Sequence, residues 1–126
     1  MKAFGDTQMT IEERTSANVT IFDVRGRMTI EDAGDMALAH RVRARVHEGS
    51  ERILLNLADV PYVDTTGLCN IIQAYITTQR QGGSLKLVHL TRHVRELLTV
   101  TKLLTVFEAY ESESDAIASF RSAGSA

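Results

Sequence analysis

The chain has 126 residues, of which 44% are hydrophobic and 24% charged, and it carries a formal net charge of −2. At this length one core can bury roughly two thirds of the surface of the unfolded chain, so a single domain over residues 1–126 is expected, with loose ends at 1–8 and 122–126. The charge balance gives no general attraction to nucleic acid or an anionic membrane, and one cysteine excludes an internal disulfide.

The first residues, MKAFGDTQ, lack the apolar stretch of a signal peptide, and no apolar run reaches the ~20 residues of a membrane span. A cytoplasmic protein without membrane insertion is the expectation. Met9 to Arg14 alternates apolar and polar residues, as a half-buried strand does. Thr15-Ser-Ala-Asn18 is turn-rich, and Val19 to Val24 forms a second strand, which predicts a hairpin with a four-residue loop. Thr29 precedes a helical stretch from Glu31 to His47, acidic at its start and basic at its end, as the helix dipole favours. Its inward face is ambiguous. Ala33, Met36, Ala37, His40 and Ala44 form one stripe, and Leu38, Val42 and Val46 another.

Gly49 and Ser50 break the chain, and Arg52 to Leu57 is nearly continuous in apolar residues, as in a central strand covered on both faces. Pro61 marks a loop. From Thr66 to about Gln81, Leu68, Ile71, Ile72 and Tyr75 define one helical face that ends at Gly82-Gly83. Ser84 to Leu90 is a further strand. Thr91 is placed to cap a short helix carrying Val94, Leu97 and Leu98. Thr105 to Phe107 reads as extended, and Ser112 as the cap of a last helix with Ala116, Ile117 and Phe120 inward. Two strands followed by alternating strands and helices predict an α/β fold with a mixed sheet.

The segment Val63-Asp-Thr-Thr-Gly-Leu68 is the candidate site. Aspartic proteases use Asp-Thr-Gly, but the extra threonine misplaces the glycine, and those enzymes are all-β. A threonine nucleophile needs a neighbouring base, and no histidine is close in sequence. Neither G-x-S-x-G nor a phosphate-binding G-x-x-x-x-G-K-[ST] is present. His40, His47, His89 and His93 are scattered, and the His89/His93 pair spans a strand-to-helix boundary, so solvent-facing or singly bonded histidines are the better reading. The same segment suits a helix N-cap in which Asp64 or Thr65 accepts hydrogen bonds from the free N–H groups. A hydroxyl there also stands where the helix start favours an anion, so a phosphate ester would be tolerated by the fold. Cys69, one residue beyond the segment, reads better as a small core residue than as a reactive thiol. Arg41, Arg43 and Arg45 suit either a solvated helix end or contact with an acidic partner.

Taken together, several pieces form a recognisable set: Val19 to Val24 followed by Gly26-Arg-Met28, Ile53-Leu-Leu-Asn-Leu57, Val63-Asp-Thr-Thr-Gly-Leu68, Gly82-Gly83 before Leu85 to Val88, and Val94-x-x-Leu97-Leu98 with Leu103 downstream. From Met9 to Phe120 the chain resembles a STAS domain of the bacterial anti-sigma-factor antagonist family. The resemblance implies a four- or five-stranded mixed β-sheet packed by about four helices, and a binding protein rather than an enzyme, with neither cofactor nor metal. It implies phosphorylation on Thr65, the hydroxyl residue directly after the motif aspartate, with Asp64, Thr66, Gly67, Thr29 and Asp32 around it. The implied partner is an anti-sigma factor that is a serine/threonine kinase. Unphosphorylated antagonist binds it and frees a sigma factor for transcription. Phosphorylated antagonist lets go.

The chain departs from the family pattern at three positions. Thr29 stands where many members carry an aspartate, with Asp32 as the candidate to supply that charge. Thr65 replaces the more usual serine, and Lys102 replaces a common glycine. These departures keep open a STAS scaffold module without the switch, in stress signalling or as a transporter's accessory subunit.

Overall fold

The computed structural model describes residues 9–29 and 36–125, with the side chains of 122–125 excepted. Its strands are β1 (Thr10–Ser16), β2 (Val19–Arg25), β3 (Arg52–Asp59), β4 (Ser84–Val88) and β5 (Ala109–Tyr110). Its α-helices are α1 (Ala37–His47), α2 (Thr65–Arg80), α3 (Arg92–Val100) and α4 (Glu113–Ser125), with a 3-10 turn at Leu103–Thr105.

The five strands lie in sequence order in one sheet. β1 and β2 are antiparallel, from Thr10 opposite Arg25 to Ser16 opposite Val19. The remaining pairs are parallel, with Leu54 beside both Ile21 and Lys86. The hairpin loop is shorter than the four residues expected. Only Ala17 and Asn18 lie outside the strands, with φ of 52° and 67°. Two consecutive left-handed residues match the strand twist, as in a type I′ turn. The turn-forming side chains of Thr15 and Ser16 gave no sign that both would stay in β1.

Parallel strands need crossovers, and crossovers of one hand moving one way along a sheet put their helices on one face. Accordingly Leu38, Val42 and Val46 of α1, Ile71 and Ala74 of α2, and Val94 and Leu98 of α3 share one buried cluster with Phe22, Leu55 and Leu87. This decides the ambiguity in α1: the Leu38/Val42/Val46 stripe is buried, whereas His40 and Ala44 of the other stripe are exposed. The expected start of this helix at Glu31 falls outside the described residues, and Met36 precedes the helix with φ 60°.

Among the described residues, the opposite face is covered by α4. Val19, Ile21, Leu54 and Val88 meet Ala116 and Phe120 in a smaller cluster. Ser112 caps α4 as expected, its Oγ accepting the Asp115 N–H at 3.1 Å. Ion pairs reinforce the joint: Arg14 on β1 reaches Asp23 at 2.7 Å and Glu113 of α4 at 2.6 Å. The guanidinium holds both carboxyls below their usual range, and they in turn hold Arg14 more firmly protonated. Lys86, 6% exposed, donates to Ser119 Oγ at 3.0 Å and pairs with Glu108 at 3.1 Å.

Two sequence expectations are modified at the start of α3 and after it. Thr91 holds the N-cap position of α3 as expected, but its side chain makes no capping bond; its hydroxyl donates instead to the Val60 carbonyl at 2.7 Å, tying the start of α3 to the loop after β3. Thr105 to Phe107 is not extended: Leu103–Thr105 forms the 3-10 turn, and the last strand comes later, at Ala109–Tyr110.

Candidate functional site

The candidate site is built where β2 and β3 end. Gly26 donates its N–H to Asp59 at 2.9 Å, and the two strands then rejoin in a short parallel bridge between Met28 and Val63. Met28 donates to the Tyr62 carbonyl at 2.9 Å and accepts from the Asp64 N–H at 3.1 Å. The backbone of Asp64 is therefore fixed before α2 begins. The same register places Thr29, next after Met28, beside Asp64, next after Val63.

Asp64 is the N-cap of α2. Its backbone is extended, and its carboxylate accepts the Gly67 N–H at 2.9 Å. Such a cap is worth about 1 kcal/mol and satisfies one of the free donors of the first turn. Thr65 is the first helical residue, and its side chain is exposed. Thr66 is half-buried and Gly67 is buried. A β-carbon at Gly67 would overlap the Met28 carbonyl and Cβ, so only glycine lets α2 seat this closely on the β2–β3 extension. Thr29 is 4% exposed, so the position to which the resemblance assigns a carboxylate holds a buried neutral hydroxyl. Asp32 lies outside the described residues.

Thr65 also edges a groove of about 320 Å³ between α2 and α3, lined by Val63, Leu68 and Leu97 with His93 and Thr101 toward the two ends of α3. Tyr62 lines it, 42% exposed, and stacks on the His93 ring with centroids 4.7 Å apart. The Arg27 guanidinium sits 5.9 Å from the centre of the Tyr62 ring. An exposed hydroxyl beside a partly apolar, aromatic-walled groove suits contact with another protein. Among the described residues no three His, Cys, Asp or Glu side chains gather to hold a metal.

Sequence reasoning found the hydroxyl, its aspartate and the glycine, but not the wall. Tyr62 follows Pro61 in what reads as a plain loop, and His93 gains its role only when α3 folds back onto that loop. Asn70 was missed as well. It is fully buried on α2, and its Oδ1 accepts the Ala39 N–H of α1 at 2.8 Å, acting as the cap that Met36 does not provide. A buried asparagine in an otherwise apolar helical face was the available signal. Cys69 is exposed rather than part of the core. It lies one turn after Thr65 on α2.

The STAS domain family model matches residues 10–116. A similar protein is BtrV of Bordetella bronchiseptica, named provisionally as an anti-sigma factor antagonist. It is 28% identical over 94 residues, which span 75% of this chain and 81% of that one. Among solved structures, an anti-sigma factor antagonist from Mycobacterium paratuberculosis superposes with a TM-score of 0.79 at 21% identity, covering 90% of this chain and 95% of that one. The Bacillus cell fate determinant SpoIIAA, solved in its phosphorylated form, gives 0.67 at 12% identity, covering 86% of this chain and 97% of its own. With a five-stranded mixed sheet of the same architecture and a family match over most of its length, this chain belongs to the STAS domain family.

Proposed function

We infer that this protein is an anti-sigma-factor antagonist that binds an anti-sigma-factor serine/threonine kinase in the cytoplasm and is released when Thr65 is phosphorylated. It acts by binding and not by catalysis. The observation that carries this reading is the placement of Thr65: exposed, first in α2, behind an aspartate cap, on the rim of an open groove. BtrV and the Mycobacterium structure support the antagonist role through what they are named. A fold relative solved in phosphorylated form supports the switch.

The physics of release is short. A phosphothreonine carries about −1.5 to −2 charges near neutral pH. At a helix N-terminus the isolated protein tolerates that charge, because free N–H groups and the dipole favour it. Against a covering partner with no matching cation, the buried dianion costs several kcal/mol. Each ~1.4 kcal/mol is tenfold in affinity, so the complex opens without refolding.

The test is co-expression with a candidate anti-sigma kinase, followed by mass-spectrometric mapping. One phosphate on Thr65, lost in Thr65→Ala, is the expected result. Stable complexes with other STAS or transporter proteins and no phosphate would instead establish the scaffold reading. The buried Thr29, neutral where the switch pattern has a carboxylate, is the one observation that favours that second reading.

A further inference from the structure

The three arginines of α1 are not equivalent. Arg41 pairs with Glu13 at 2.9 Å, and Arg45 faces the same carboxylate at 3.7 Å, so both turn toward β1. Arg43 makes no ion pair among the described residues and is exposed. With exposed His40, one turn earlier, it lines a groove of about 320 Å³ between α1 and α2. Met36, Ala39 and Cys69 give this groove an apolar floor, and no carboxylate lines it among the described residues. On α2 its wall is Cys69, Gln73 and Thr77, the four-residue steps that continue from Thr65. Thr65 therefore stands about 6 Å along the helix axis from the groove's nearer end.

We propose that this α1–α2 groove is a docking surface for an acidic, leucine-bearing segment of the partner protein that engages Thr65. The partner's presence at this end of α2 rests on the reading of Thr65 as the switch. The chemistry of the segment does not. Over an apolar floor the Arg43 guanidinium, unpaired among the described residues, selects a carboxylate flanked by apolar side chains.

The single cysteine of the chain makes the groove directly readable. The probes are an eight-residue peptide alternating glutamate and leucine, its lysine–leucine counterpart, its glutamate–alanine counterpart and a short single-stranded RNA. The readout is the rate at which N-ethylmaleimide alkylates Cys69. Saturating glutamate–leucine peptide should slow alkylation about tenfold in the wild type. Arg43→Glu, an exposed change that should leave the circular dichroism spectrum unaltered, should abolish the protection, and Arg80→Glu, beyond the groove, should keep it. Absence of protection at millimolar peptide, equal protection in Arg43→Glu, or equal protection by any of the other three probes overturns the proposal. The assay needs no kinase, so its failure is separate from that of the switch. Normal phosphorylation of Thr65 with no peptide protection would leave the switch standing and remove the groove. Peptide protection without phosphorylation would do the reverse.

Discussion

The two faces of the sheet are held by different physics. On one, α1, α2 and α3 bury a continuous apolar cluster from Phe22 to Phe107. On the other, α4 rests on a small cluster around Phe120 and is clasped by Arg14, Asp23, Glu113 and the buried Lys86. The candidate site stands on the first face. The helices around it are seated by non-directional burial and its backbone by the hydrogen bonds that join Met28 to Tyr62 and Asp64, while α4 depends on ion pairs that respond to pH and salt. A surface presented to a partner is best carried by the part of the fold least sensitive to conditions.

The comparison can be broken from either side. Phe120→Ala should cost about 3–5 kcal/mol, because it empties most of the smaller core. Backbone amide shifts should move across α4 and β4 while those of α2 stay in place; equal disturbance at Thr65 would show that the faces are not separable. Gly67→Ala should cost about 1–3 kcal/mol by forcing α2 away from Met28, and should impair phosphorylation of Thr65 as well as lowering the Tm. A variant with unchanged melting and unchanged phosphorylation would mean that the close approach is not needed.

Smaller effects sharpen the picture. Asp23 and Glu113 have depressed carboxyl pKa values in the fold. The stability they add is therefore complete above the ordinary carboxylate range near pH 4 and lost as pH falls through their folded values. An acid titration followed by amide exchange should release α4 before α2, and Arg14→Ala should remove the difference. Lys102 holds φ 63° after α3, a conformation disfavoured for any residue with a β-carbon. Lys102→Gly should raise stability by about 1 kcal/mol in urea unfolding, with no change at Thr65.

These contrasts also show what the sequence could reveal. The central strand, the helices around Val63 to Leu68 and the Asp64 cap were legible because each is encoded within a few neighbouring residues. The hairpin's two-residue turn was not, since Thr15 and Ser16 suit turn and strand alike. Thr91 was read as a cap because only local donors are visible in sequence, whereas its real acceptor is Val60. The exposure of Cys69 depended on where α1 would lie, and α1 offered two possible stripes. The Tyr62–His93 wall joins a loop residue to the first turn of α3, so no periodicity announces it.

The central claim is that one added phosphate on Thr65 separates two proteins without unfolding either. Titration calorimetry with the anti-sigma kinase, before and after stoichiometric phosphorylation of Thr65, measures this directly. At least a hundredfold loss of affinity, with an unchanged circular dichroism spectrum, is the predicted result, corresponding to about 2.7 kcal/mol. Equal affinity for the two forms would contradict the account.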